Sequence, residues 1–226
     1  MYKKYLTVLK KVFVLSILSL VCLSFQAFAE EEELKMFAID SELPSAFWYY
    51  LSFEGIKYHQ IGFSGKDIKG KYLTLFAKDI WNGKVKKIDT LLDRNLYMGQ
   101  FPIDDDTTII SVICKQISKN EMRISFMFPR FKLRDRIYKT TNSKGYDLRS
   151  YALFEDGHGC APIEDLRIKY NKPFPAFSYM LPYEKDGSGY YCEVDARVKD
   201  IYDWWKIFKI KHYIIFEMTV EDRENN

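Results

Sequence analysis

The sequence predicts an all-β protein, mainly antiparallel strands folded as a sandwich of hairpins, with one short helix near residues 200–208. Three observations carry that expectation. Aromatic residues make up 17% of the chain, and most fall in short Tyr-, Phe-, Ile- and Val-rich segments that fit a pleated, half-buried surface. Apolar and polar residues alternate with period two inside several of these segments. Turn dipeptides and polar, glycine-containing loops separate them.

The chain opens on a segment that stands apart from the fold. Lys3, Lys4, Lys10 and Lys11 precede an apolar run from Val12 to Leu23, and Ala27-Phe28-Ala29 follows. A basic start, an apolar stretch too short to cross a bilayer and a small-x-small site make a secretory signal peptide, cleaved after Ala29. Lipidation at Cys22 fits poorly, because bulky Val21 stands directly before it. The expected organisation is a signal peptide over 1–29, one β-rich domain over 30–220 and a polar tail over 221–226. The expected address is periplasmic or secreted. Removing 29 of the 226 residues leaves 197, enough to bury roughly 70% of the chain's surface on folding.

Four hairpins are read in order. Ala46 to Phe53 and Ile56 to Phe63 are joined by Glu54-Gly55. Tyr72 to Trp81 and Lys84 to Leu92 flank Asn82-Gly83, the dipeptide most at ease with positive φ at both turn positions. Thr107 to Ile117 and Glu121 to Phe128 flank Ser118-Lys119-Asn120. Phe174 to Tyr183 and Tyr190 to Val198 flank Glu184 to Gly189. Met122, Ile124, Phe126 and Phe128 fall on one side of their strand, as do Cys192, Val194, Ala196 and Val198 of theirs. The last strand places His212, Ile214, Phe216, Met218 and Val220 together. One-sided patterning of this kind argues for antiparallel sheets packed on one face. Between the last two strands, Ile201, Trp204, Trp205 and Phe208 sit at helical spacing after a capping Asp200, with Asp203 near the positive end of the dipole. An outer-membrane barrel fits less well, since charges interrupt both faces of several strands and the chain ends hydrophilic.

The charge balance excludes one partner class. The chain carries 34 Lys plus Arg against 31 Asp plus Glu, and loss of the four signal lysines leaves 30 against 31. No basic run remains to neutralise a line of phosphates, so nucleic acid is not expected as a partner.

Three cysteines follow the signal: Cys114, Cys160 and Cys192. Cys114 shares a strand face with Ile110 and Val112 and reads as a buried small hydrophobe. In an oxidising compartment Cys160 and Cys192 are the preferred disulfide, with Cys114–Cys192 the rival pairing. Asp156-Gly157-His158-Gly159-Cys160 has the ingredients of a base and a nucleophile. Adjacent loop residues rarely aim at one another, however, and the reading is a glycine turn beside a disulfide. Only three His exist, without metal-ligand spacing. Asp104, Asp105 and Asp106 lack the alternating positions and glycine turn of a calcium loop. They read as a solvated turn or as an acidic knob facing a partner. Trp204-Trp205, Tyr190-Tyr191 and Trp48-Tyr49-Tyr50 are candidate sugar platforms or protein hot spots. No catalytic, cofactor or metal residue is assigned.

These readings converge on an exported, non-enzymatic protein that acts by protein–protein contact in the periplasm, in its most concrete form an immunity or inhibitor protein against an envelope-targeting toxin. Trp204, Trp205, Tyr191 and Asp104 to Asp106 are the candidate partner-binding residues. No cofactor and no integral membrane segment are expected. A glycan-binding sandwich is the alternative, followed by a hydrolase whose site is assembled from distant residues.

Overall fold

Period-two alternation sorts the strands onto two antiparallel sheets that face each other across one core. A computed structural model of the chain describes residues 33–39, 43–93, 95, 101–143, 145–155, 160–162, 166–185, 187–191 and 201–222. The larger, seven-stranded sheet runs β12 (Leu166–Lys169), β1 (Glu33–Ala38), β2 (Ile56–Ser64), β5 (Thr107–Ser118), β6 (Glu121–Phe128) and β7 (Phe131–Lys132), with β8 (Arg136–Lys139) also paired to β6. The five-stranded sheet runs β4 (Lys84–Leu92), β3 (Tyr72–Trp81), β16 (His212–Glu221), β13 (Phe174–Met180) and β9 (Asp147–Ser150). Two ribbons stand beside them: β10 (Leu153–Glu155) with β11 (Cys160–Pro162), and β14 (Tyr183–Lys185) with β15 (Ser188–Tyr190). The all-β sandwich expected from the sequence is the observed fold.

The shared core takes the inward residues of both sheets. Ile110, Val112 and Cys114 of β5 and Met122, Ile124, Phe126 and Phe128 of β6 are buried together with Ile214, Phe216, Met218 and Val220 of β16. Phe126 meets Phe216 edge-on at 5.2 Å and Phe177 at 6.1 Å, so aromatic contacts span the gap between the sheets. The flanks are closed by polar links: Tyr138 of β8 donates its hydroxyl to Asp89 of β4 (3.0 Å), and Nε2 of His59 on β2 lies 2.9 Å from the Leu148 carbonyl of β9.

The last strand departs from its expected one-sidedness. Tyr213 and Ile215, on the opposite face of β16, are buried as fully as Ile214 and Phe216. They join Ile80, Met180, Tyr183, Trp204 and Ile210 in a second, smaller core. The cover over this outer face is a 3-10 turn, Ile201–Asp203, followed by α2 (Trp204–Phe208). Trp204 packs on Tyr213 at 4.9 Å, and the Tyr213 hydroxyl donates to the Ile201 carbonyl (2.6 Å). The short helix is thus present where expected, while its expected cap, Asp200, lies outside the described residues.

Three expectations are corrected. Ala46 to Phe53 is not a strand: Ser45–Phe53 forms helix α1. One edge of β2 pairs with β5 along its whole length, and the other pairs with β1 at residues 61–64. Pro44 opens the helix at φ −53°, and its carbonyl accepts from Phe47 and Trp48. Gly55, read as a hairpin turn, has φ +64° and is the left-handed glycine that ends the helix. Second, the strand expected from Phe174 to Tyr183 is broken after Met180: β13 pairs with β9 and β16, while Tyr183 and Tyr190 flank the expected hairpin turn as the small β14–β15 ribbon. Third, β16 extends to Glu221, and Asp222 accepts from Lys71 at 2.5 Å, so the first two residues of the expected tail belong to the fold. The expected signal peptide and residues 192–200, including the alternation expected from Cys192 to Val198, lie outside the described residues.

Candidate interaction surface

Helix α1 has the composition Ser-Ala-Phe-Trp-Tyr-Tyr-Leu-Ser-Phe, with no charged residue. A surface helix ordinarily hides an apolar stripe and shows a charged face. Here only Leu51 is buried, while Phe47, Trp48, Tyr49, Tyr50 and Phe53 all face solvent. Tyr49 is 77% exposed and Phe53 88%. Five large aromatics on one short helix form a contiguous apolar patch, the kind of surface that marks an interaction site. The helix is held at its far end by an ion pair between Glu54 and Lys115 of β5 (2.7 Å). Beside it, Trp48 contacts Tyr58 of β2 at 6.1 Å, with the rings tilted by 59°.

The patch continues onto the outer face of the larger sheet. Outward positions of β5 alternate Thr107, Ile109, Ser111, Ile113, Lys115 and Ile117, and the isoleucines Ile109 and Ile117 are exposed, as is Ile137 of β8. A groove of about 250 Å³ crosses this face, floored by Ile56, Ile113, Ser125 and Met127 and rimmed by Lys115, Arg123, Lys132 and Asp135. Lys132 lies 2.9 Å from Asp135, and Arg123 stands 3.9 Å from the same carboxylate. Chiefly through Lys132, this pairing holds the Asp135 carboxyl below the usual carboxylate range.

The residues expected to meet a partner do not gather into one site. Trp204 has no exposed surface and is a core residue of the second cluster, so it offers a partner nothing. Trp205 is half-buried beside Gly83, and Tyr191 is half-buried, its hydroxyl donating to the Gly145 carbonyl with Arg149 over its ring. Asp104, Asp105 and Asp106 are exposed; Asp104 pairs with Arg130 at 3.3 Å and Asp105 accepts from the Asp106 amide. Ile103 bonds to Lys71 just before β3 begins, whereas Trp205 sits at the turn where β3 ends. The acidic knob and the α2 aromatics are therefore a strand length apart, about 30 Å for ten residues. Among the described residues, no group of three His, Cys, Asp or Glu is placed to hold a metal ion, and no helix is long and apolar enough to cross a membrane.

Sequence reasoning named Trp48, Tyr49 and Tyr50 and missed Phe47, Phe53 and the groove. The available signal was the outward parity of Ile109, Ile113 and Ile117, which makes β5 apolar on both faces.

One buried polar chain resembles catalytic machinery in its order. Nε2 of His212 lies 3.0 Å from Asp79, Nδ1 lies 2.6 Å from the Tyr146 hydroxyl, and Thr141 donates its amide to that hydroxyl at 3.1 Å. A neutral His212 that donates Nε2–H to a carboxylate leaves Nδ1 to accept from the Tyr146 hydroxyl. His212 is sealed under Trp81, 4.1 Å between ring centroids, and Tyr146 is stacked on Tyr179 at 5.0 Å. The arrangement ties β3, β16 and the approach to β9 together. Cys114 is a free, buried thiol whose pKa is pushed up by burial, which keeps it protonated. The side chain of Cys160 and all of Cys192 lie outside the described residues, as do Asp156 to Gly159.

Comparison with protein-family models, with curated proteins and with solved structures found no match.

Proposed function

We propose that this is an exported, non-enzymatic protein whose work is contact with another protein, made through α1 and the adjoining outer face of the larger sheet. The observation that carries the reading is the cluster of five exposed aromatics on a helix that contributes one buried residue to the fold. Aromatic anchors surrounded by paired charges are the usual anatomy of a binding hot spot. Here the ion pairs Glu54–Lys115 and Lys132–Asp135 supply the polar surround. The basic-apolar-small pattern of residues 1–29 supports a periplasmic or secreted address. In its concrete form the protein is an inhibitor or immunity protein that occludes a toxin acting on the cell envelope.

Glycan binding is the competing reading, and ring geometry weighs against it. Stacking a sugar chain favours a row of coplanar rings, whereas Phe47 and Tyr50 are tilted by 33° and Trp48 and Tyr58 by 59°. The test is affinity capture from an extract of the source cell, using mature protein and a Tyr49→Ser/Phe53→Ser variant side by side. The expected result is a stable protein partner retained by the first and lost by the second. Equal retention by both, or a glycan array bound in place of any protein, would falsify the reading.

A further inference from the structure

We infer that the groove across the outer face of the larger sheet receives an apolar side chain of the partner with a carboxylate beside it. This rests on the contact reading above and names the chemistry of the partner's anchor.

The size fits one side chain. At about 250 Å³ the groove exceeds the roughly 150 Å³ that holds a benzene ring and falls short of the range of about 300–1,000 Å³ usual for small-molecule sites. Its floor of Ile56, Ile113 and Met127 is apolar, so the entering group is apolar too.

The rim fixes the charge. Arg123 and Lys132 share a single carboxylate, Asp135, which is ionised and neutralises one of the two. Both cations keep 55% of their side-chain surface in solvent, against 37% for Asp135, so the positive charge is the more accessible. Lys115 on the same rim is matched by Glu54. The surplus is one positive charge, complementary to one carboxylate. A second, independent feature points into the groove. Ser125 is 6% exposed and lines the floor, and its hydroxyl lies near Asp135 without forming a well-aligned hydrogen bond to it. A buried hydroxyl in that state gains from a ligand group that completes its bonding. The groove adjoins α1 directly, since Ile56 follows Phe53 after Glu54-Gly55. One partner surface can therefore cover both.

The groove is probed with 3-phenylpropionate and, in parallel, 3-phenylpropylamine, following the methyl resonances of Ile113 and Met127 in the folded protein. The carboxylate is expected to shift both resonances and the amine neither. Arg123→Gln/Lys132→Gln should weaken the carboxylate about tenfold or more, and the charge-conserving Arg123→Lys/Lys132→Arg should restore it. With the captured partner in hand, Arg123→Gln/Lys132→Gln should also weaken that complex and flatten its salt dependence. No shift, equal shifts by acid and amine, or a complex indifferent to the groove variant overturns the inference and leaves the α1 reading standing. Carboxylate binding without any protein partner has the opposite meaning: the groove chemistry holds and its assignment to a partner fails.

Discussion

His59 is the residue whose protonation the fold opposes most clearly. Its ring is enclosed between β2 and β9, and Nε2–H donates to the Leu148 carbonyl. Burial lowers its pKa from the ordinary 6.5, with the Leu148 bond and Asp147 opposing and Arg149 and Lys57 assisting. Because the folded value lies below the unfolded one, the unfolded chain binds the extra proton. Stability is then complete above about pH 6.5 and declines as pH falls below it. In Tm measurements across pH 7 to 5, His59→Gln should show a shallower decline than wild type, Gln keeping a donor for Leu148. An identical slope in both proteins would remove His59 from the acid response. The sequence gives no warning of this role, because its partner lies 89 residues away. Gly83 and Cys114 behaved differently. Asn82-Gly83 takes φ +50° and +71°, the local geometry its chemistry favours, and Cys114 is buried as its parity with Ile110 and Val112 requires. Signals that act within a turn or along one strand were legible.

Helix α1 shows where such signals stop. Its aromatic run has strand-like propensity and precedes a glycine suited to a turn, yet Pro44 opens a helix there. Gly55, expected to turn a hairpin, ends that helix instead. β1, which pairs with residues 61–64 of β2, has the alternation of a one-sided strand, with Leu34 and Met36 buried and Lys35 and Phe37 outward. The ring of Phe37 lies over Gly62 on the paired strand, in space that any Cβ would occupy. Helix α1 is held to the fold by Leu51, the Trp48–Tyr58 ring contact and the Glu54–Lys115 pair, none of which involves Tyr49 or Phe53. Tyr49→Ser and Phe53→Ser should therefore change unfolding free energy by less than about 0.5 kcal/mol each, the range of ordinary surface substitutions. Leu51→Ala should cost about 2–4 kcal/mol by emptying a buried site. Denaturant unfolding of the three variants checks the contrast. A large loss from Phe53→Ser would make it a core residue and remove it from the interaction surface.

The whole molecule is a sandwich with its two sheets treated unequally. The five-stranded sheet is covered inside by the shared core and, around Ile80, Met180, Tyr213 and Ile215, outside by α2 with Trp204. The larger sheet is covered on its inner face, and its outer face carries α1, a row of isoleucines and the groove. That asymmetry was hidden in the sequence. Trp204 and the α1 aromatics look equally available in a linear reading, and only the path of the chain buries the first and exposes the others. The acidic turn at Asp104 and the α2 aromatics, joined in the linear reading as one partner-binding set, stand at opposite ends of β3. The measurement that bears most directly on the account is amide hydrogen exchange of the protein alone and in complex with its captured partner. Protection should appear in α1, residues 45–53, and along the outer-face strands β2 and β5. Protection confined to residues 102–106 or 201–208, with α1 exchanging as in the free protein, would contradict it.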